Sequence, residues 1–462
     1  MHHFTVEAIG KDGAVLATAS LAAETRLASP VINVLDYGAL GDGSTLDTVS
    51  IQRAINACPE NGTVLLPEGY VFISGALFLK SRMNFQVDGV LMGSTDPKDY
   101  PRIITKWEGW RRLEQGASDW DNSTDALPDN HCPHASLLNA GGYAEGENGG
   151  LGPYTIEHLT ICGKGQINAN GFALAYNEGP NRNTARVASV PYPIQDASSR
   201  GSAIRIHNGK NIYLYDVQVA YAPGWTVHPI YCQHLTCDGM EIVSQGDGDI
   251  GLGTDVLNCG HIFNGDGIDP ESCIHVNLFN ILFTTGDDAV AIKSGRGREG
   301  NELDKPNGYV RVTDCQSIWS LGGFGTGSET AAGSHDLLFQ NLWISGILVS
   351  GIWLKTNAFR GGVTEHIQVR DVWAEKCNSP VWIYHGYSIQ RVQFNPSLCP
   401  PIVRHLTFEN VHGDASNELG FRLEGEPTLP IQDIQLIHVS AGGRENRISS
   451  CENLTITEGE KR

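Results

Sequence analysis

Asn211-Ile-Tyr-Leu-Tyr-Asp-Val-Gln-Val219 is the stretch on which the fold turns, because the chain repeats its pattern. It returns as His234-Leu-Thr-Cys-Asp-Gly-Met-Glu-Ile242, and again from His275, Tyr309, Asp336, His366, His405 and Asp433. The intervals are 23, 41, 34, 27, 30, 39 and 28 residues, within the period range of solenoids. Inside each unit apolar and polar positions alternate and β-branched residues are common, as in a half-buried strand. So short a unit, bounded by Gly, Asn and Asp turns, buries its apolar face by stacking on its neighbours. The expectation is an all-β solenoid whose unequal intervals are loops bulging from one side. A β-sandwich is the all-β alternative, and it leaves eight similar units in succession without a reason.

Upstream of the repeats, residues 1–30 read as a separate short β segment. Phe4-Thr-Val-Glu-Ala-Ile-Gly and Ala14-Val-Leu-Ala-Thr-Ala flank Lys11-Asp12-Gly13, a good hairpin turn. The segment is similar to the last hairpin of a fibronectin-type module. Asp47 to Cys58 places Ile51, Ala54 and Ile55 at helical spacing, as a cap over the open end of the solenoid would. Residues 95–150 and 172–200 carry no strand pattern and hold Trp107, Trp110 and Trp120; they read as long loops walling a cleft.

Composition excludes several classes. The chain has 462 residues and a net charge of −20, with no run of lysine or arginine, so neither nucleic acid nor an anionic membrane is an expected partner. No stretch is apolar for long enough to span a bilayer. Met1-His-His-Phe-Thr-Val-Glu has no basic start and no apolar core, so a signal peptide is not expected and a cytoplasmic location is; secretion follows if the natural chain starts further upstream. Eleven scattered cysteines read as reduced, buried thiols, with Cys232 and Cys237 a pair for a secretory setting.

The chemistry concentrates in Asn264-Gly-Asp-Gly-Ile-Asp269 and Thr285-Gly-Asp-Asp-Ala-Val-Ala-Ile-Lys-Ser294. Asp266 and Asp287 are 21 residues apart, close to one solenoid turn, so stacked coils place these acids side by side. Clustered carboxylates shift each other's proton affinity, and one stays protonated while another is ionised. General acid–base cleavage of a glycosidic bond uses that division of labour. A hard-cation site built from the same carboxylates is the other reading.

Val34-Leu-Asp-Tyr-Gly-Ala-Leu-Gly-Asp-Gly43 resembles the entry motif of pectin-active β-helices. Gly75-Ala-Leu-Phe-Leu-Lys80, Leu91-Met-Gly-Ser-Thr-Asp-Pro-Lys-Asp-Tyr-Pro101, Trp107-Glu-Gly109 and Trp225-Thr-Val-His-Pro229 are similar to its bacterial-type, exo-acting branch. With the acids, residues 31–462 resemble glycoside hydrolase family 28, the polygalacturonase family. That resemblance implies a right-handed parallel β-helix and hydrolysis with inversion, without cofactor or metal. It implies Asp287 as general acid, with Asp266 and Asp288 orienting and deprotonating the water; Asp269 shapes the turn. Tyr387 matches a subsite tyrosine and His228 a cleft position, each with a purely structural alternative. Lys355 and Arg360 match cations that hold sugar carboxylates, an exposed salt bridge being the alternative for Arg360. Lys293 follows the acids in the strand's alternation and either contacts sugar or neutralises them.

The chain departs from the family twice. Leu321 stands where a histidine of a Gly-His-Gly motif would fall, and Trp353 replaces the arginine of an Arg-Ile-Lys motif. A tryptophan face stacks on a sugar ring without demanding its charge, so Trp353 is expected to wall a subsite. The leading expectation is an inverting, exo-acting hydrolase of pectic or related oligosaccharides, working as a monomer or small homo-oligomer. The rivals are a non-catalytic carbohydrate-binding β-helix and a calcium-dependent pectate-type lyase.

Overall fold

A computed structural model describes residues 2–10, 13–23, 29–101, 134–142, 154–171, 201–244, 264–295, 297–387 and 399–457. Its body is a parallel β-helix, in which each strand pairs with the strand one coil before and one coil after. The second residue of every repeat forms one core column: Ile212 beside Leu235, then Val276, Val310, Leu337 and Ile367. The fourth residue forms another, through Leu214, Cys237, Leu278, Val312 and Phe339, all buried. Like residues stacked on like is how units that cannot bury themselves share a core.

The repeats are not single straight strands. The first and sixth residues of each unit take the left-handed backbone conformation, as at His275 (φ 59°) and Asn280 (φ 55°) or Asp336 (φ 54°) and Asn341 (φ 53°). The sixth position is the corner where one face of the solenoid turns into the next. Asn, Asp and His recur there because, after glycine, they tolerate this conformation best. The alternation legible in the sequence is thus a strand, a corner and a second strand.

A separate column of parallel strands makes the third face and carries the candidate site. It begins with Leu77–Leu79, Leu138–Ala140, Ile204–His207 and Val227–Ile230, and passes through single bridges at Ile268 to Val290–Ile292. It ends with Ile347–Lys355, Ser379–Tyr384, Arg422–Glu424 and Arg447–Ser449.

The helix Thr48–Ala57 buries Ile51, Ala54 and Ile55 against the first coils, as their spacing predicts. Asp47 does not cap it; its carboxylate takes the Leu40 and Gly41 N–H groups at 2.8 and 3.0 Å and pins the preceding loop. His2–Ile9 and Val15–Ala23 form an antiparallel hairpin that pairs with no other strand among the described residues; residues 11 and 12 of its expected turn lie outside them. One expectation needs correction. The region 95–150 is not all loop: Pro97–Asp99 is a 3-10 turn, and Leu138–Ala140 adds a strand to the third face, too short to leave a periodic signal. Cys232 does not pair with Cys237. All described cysteines are free thiols, and Cys232 instead faces Cys273 on the next coil, its N–H 3.4 Å from Sγ. Trp107, Trp110, Trp120 and residues 172–200 lie outside the described residues. Among the described residues no helix is long and apolar enough to cross a membrane.

Candidate active site

The register of the third face brings the acids together. Ile268 bridges to Val290, and the Gly267 N–H donates to the Asp288 carbonyl at 2.8 Å. The residue stacked beside Asp266 is therefore Asp288, not Asp287, because the coil step here is one residue longer than the spacing that pairs Asp266 with Asp287. Asp287 is held by its own backbone. Its carbonyl accepts from the Thr285 hydroxyl at 2.8 Å and from the Leu321 N–H at 3.2 Å, and its carboxylate accepts the Asp288 N–H at 3.0 Å. One oxygen from each of Asp266, Asp287 and Asp288 lies within 4.8 Å of the others. Asp266 and Asp288 are 3% and 4% exposed, whereas Asp287 is half-buried and is the acid a substrate can reach.

Two lysines neutralise the cluster. Lys293 Nζ lies 3.5 Å from Asp266, 3.6 Å from Asp269 and 3.3 Å from Glu329. Its outer side faces the Trp225 ring, 4.5 Å from the centroid. Lys355 forms an ion pair with Asp288. Burial alone would lower both ammonium pKa values, but the surrounding carboxylates more than offset it and hold both lysines protonated. Asp287 is pushed up to about 7, first by burial and then by the charge of Asp288. Asp266 and Asp269 are raised well above the carboxylate range, again chiefly by burial. The three acids could also chelate a divalent cation, but Lys293 and Lys355 already bring positive charge to Asp266 and Asp288.

The other candidates divide by depth. Lys293, Lys355, Trp353 and Tyr387 come together around the acids. Lys355 Nζ sits 4.1 Å over the Trp353 ring and 5.7 Å from the Tyr387 ring. Tyr387 meets Trp353 edge-on at 5.8 Å, and burial raises its phenol to about 12. His228 is fully buried, with Nε2 3.0 Å from Glu271 and Trp225 edge-on at 4.7 Å. Burial lowers its pKa to about 4 against the pull of Glu271, so it is neutral at ordinary pH. Arg360 is also fully buried, which removes the exposed salt bridge considered for it. Its N–H closes a turn onto Asn357 at 3.0 Å, and its guanidinium donates to the Ser328 hydroxyl at 3.4 Å. Asp269 is fully buried with a carboxyl oxygen 3.6 Å from Lys293 Nζ, so it does more than shape the turn expected of it.

Trp353 continues a column in which Ala291 and Gly325 come first and Trp382 and Arg422 follow. Small residues at the acids make a low floor, and the tryptophans make a step beside it. Trp353 is only 6% exposed, stacked on Trp382 at 5.9 Å, while Trp382 is half-buried and carries Arg422 on its ring at 3.5 Å. Gly322 leaves the room needed between the two elements: a Cβ there would meet Asp288 Oδ1 at 2.1 Å and Trp353 at 2.7 Å. Sequence reading did not single out Glu329, Glu271, Trp382 or Arg422. Gly327-Ser-Glu329 is distant in sequence from the acids, and only the coil register brings Glu329 to Lys293.

A half-exposed carboxylic acid beside buried, lysine-paired carboxylates is equipped to protonate a leaving oxygen and to take a proton from water. The Glycosyl hydrolases family 28 model matches residues 144–460, and a model described as Rhamnogalacturonase A/epimerase, pectate lyase-like matches residues 31–99. The chain is 29% identical over 369 residues to an exo-poly-alpha-D-galacturonosidase of Dickeya chrysanthemi, covering 74% of this chain and 54% of that protein. It thus spans about half the length of that relative. A probable polygalacturonase of Vitis vinifera is 23% identical over 420 residues, covering 88% of this chain and 73% of that protein. Two solved structures share the fold. A family 28 exopolygalacturonase of Yersinia enterocolitica has a TM-score of 0.71 at 22% identity, covering 100% of this chain and 81% of that one. A hyperthermoactive exopolygalacturonase of Thermotoga maritima has a TM-score of 0.67 at 23% identity, covering 94% and 93%. With most of the β-helix inside the matched span, the chain belongs to glycosyl hydrolases family 28, a family of glycoside hydrolases.

Proposed function

We propose that the protein degrades pectin as a glycoside hydrolase, removing α-linked galacturonic acid or a related sugar from the ends of pectin-derived oligosaccharides. The observation that carries the reading is Asp287, the one accessible acid of the trio, with its pKa raised to about 7. Asp287 protonates the leaving oxygen. Asp288, paired with Lys355, and Asp266, paired with Lys293, flank the attacking water. Trp225, with Lys293 under one face, offers a ring to a sugar, while Trp353, closed between Trp382 and Lys355, supports the site from within. The end-acting preference rests on the Dickeya relative's name and on the resemblance of the entry motifs.

Inversion rests on the same resemblance. The deciding experiment digests defined oligogalacturonides and rhamnogalacturonan oligomers and follows the first product by NMR. Release of monomer from one end, with the opposite anomer appearing first, is expected. Release of internal fragments sinks the end-acting reading, and the retained anomer sinks inversion. An unsaturated product absorbing in the ultraviolet points to a lyase, and binding without turnover to a non-catalytic β-helix.

A further inference from the structure

A second groove runs along an outer corner of the solenoid, separate from the acids. Its cavity of about 480 Å³ is lined by Trp343, Trp373 and His412 together with Asp314, Asp371 and their amide neighbours. Trp343 precedes the corner at Gly346, whereas Trp353 and Lys355 of the candidate active site follow it, so the two surfaces are different faces of the same coil.

The groove itself belongs to the fold. An equivalent cavity of about 650 Å³ lies at the same corner in earlier coils, walled by Gly165, Gln166, Gln218 and Glu241. The register identifies one column two residues beyond the corner: Gln218 beside Glu241, then Leu282, then Gln316. The same column continues as Trp343, Trp373 and His412 before ending at Ser440. Three successive coils thus put aromatic rings where earlier coils of the same chain tolerate polar groups. Trp343 and Trp373 are 41% and 44% exposed, and His412 follows with its ring 6.1 Å from Trp373. Large rings left this open in a row have no folding role that Gln316 does not fill, and mark a binding surface.

We propose that this groove binds a neutral polysaccharide chain lying along the solenoid axis. A sugar ring has an apolar C–H face and a polar rim. The tryptophan strip suits the face, and the corner Asp and Asn side chains suit the rim. There Asn341 donates to Asp314 and Asn410 donates to Asp371 at 3.0 Å, leaving carboxylate oxygens with further acceptor capacity. No lysine or arginine is among the described residues lining the groove, and two aspartates are, so a uronate chain is repelled and a neutral one is not. The site therefore takes the neutral glycan side chains attached to an acidic backbone. That choice of glycan leans on the pectin-degrading reading; the binding does not.

The test uses the intact chain and the variant Trp343→Gln/Trp373→Gln, which writes the Gln316 side chain into the next two coils and so keeps the fold. Affinity electrophoresis is run in gels containing β-1,4-galactan, arabinan or polygalacturonate, beside sedimentation velocity and hydrolysis of oligogalacturonides. The expected result is retardation of the parent by galactan or arabinan, weakened about tenfold or more in the variant, as for loss of two stacking contacts. Hydrolysis of oligogalacturonides should be unchanged. No retardation of the parent by either neutral glycan, or equal retardation of parent and variant, overturns the proposal. So does a parent dimer that the variant turns into a monomer, since the rings then join two copies of the chain. Absence of hydrolysis in both proteins with retardation intact would instead sink the hydrolase reading and leave this site standing.

Discussion

Asp287 is one residue that three effects act on at once: a clamped backbone, a half-open side chain, and neighbours that hold its proton. Asp287→Asn should lower turnover by at least about 10²–10⁴-fold while leaving oligosaccharide binding in place. Near-parental turnover in a sample checked for deamidation would remove its assignment as general acid. Its pKa also sets a pH limb. With the folded value at about 7 and the ordinary value at 3.8, the folded state holds the proton more tightly than the unfolded chain. The stability this proton confers is complete below 3.8 and is lost as pH rises through about 7. Turnover should therefore fall above neutrality, and Asp287→Asn should melt higher than the parent at pH 8 but not at pH 4. Equal melting differences at both pH values would contradict a raised pKa. Trp353 is legible in sequence as a departure but not as a buried support. Stacked on Trp382 and lying under Lys355, it positions the ammonium on Asp288. Trp353→Ala should cost about 3–5 kcal/mol of stability by leaving a cavity, read from denaturant unfolding. Trp353→Arg, able to stack on Trp382, should raise activity on oligogalacturonides relative to oligomers containing neutral sugars. An unchanged substrate profile in a folded Trp353→Arg protein would make the residue purely structural.

At the scale of the element, the nine-residue unit is both strand and corner. Asn280 shows how. Its backbone is left-handed (φ 55°), and its amide donates to Asp238 on the previous coil at 3.1 Å. Asn280→Val should destabilise by roughly 1–2 kcal/mol or more, because a β-branched residue is strained there. Asn280→Gly should cost clearly less, since glycine accepts the conformation and loses only the amide contact. Equal losses in chemical denaturation would show that the hydrogen bond, not the corner, is what matters. The units were readable because core residues recur at fixed places in each. Leu138–Ala140 was not, because three residues carry no period. The exact coil step at the acids was not readable either, since the bridge from Ile268 to Val290, rather than the count between acids, decides which carboxylates stack.

For the whole molecule, the net charge of −20 makes the local pairing of Lys293 and Lys355 with the acids matter more, since nothing at long range draws a uronate in. If the two ammonium groups supply the positive charge of the site, hydrolysis should persist in chelator. Complete loss of activity on chelation, restored by calcium, would hand the site to a lyase.

The sequence by itself determined the solenoid, the cap helix at Thr48–Ala57, the acidic cluster and the family, because each is written in local spacing: alternation, repeat interval, helical periodicity, short motifs. The tertiary structure alone decided which acid faces solvent, that His228 and Arg360 are fully buried, and that Glu329 belongs with Lys293. It also decided that Trp343 and Trp373 share one open strip with His412. Those relations join residues from different coils. Loops of unequal length lie between the coils, so sequence distance says little about which residues meet, and the hydrogen-bonded register says it directly.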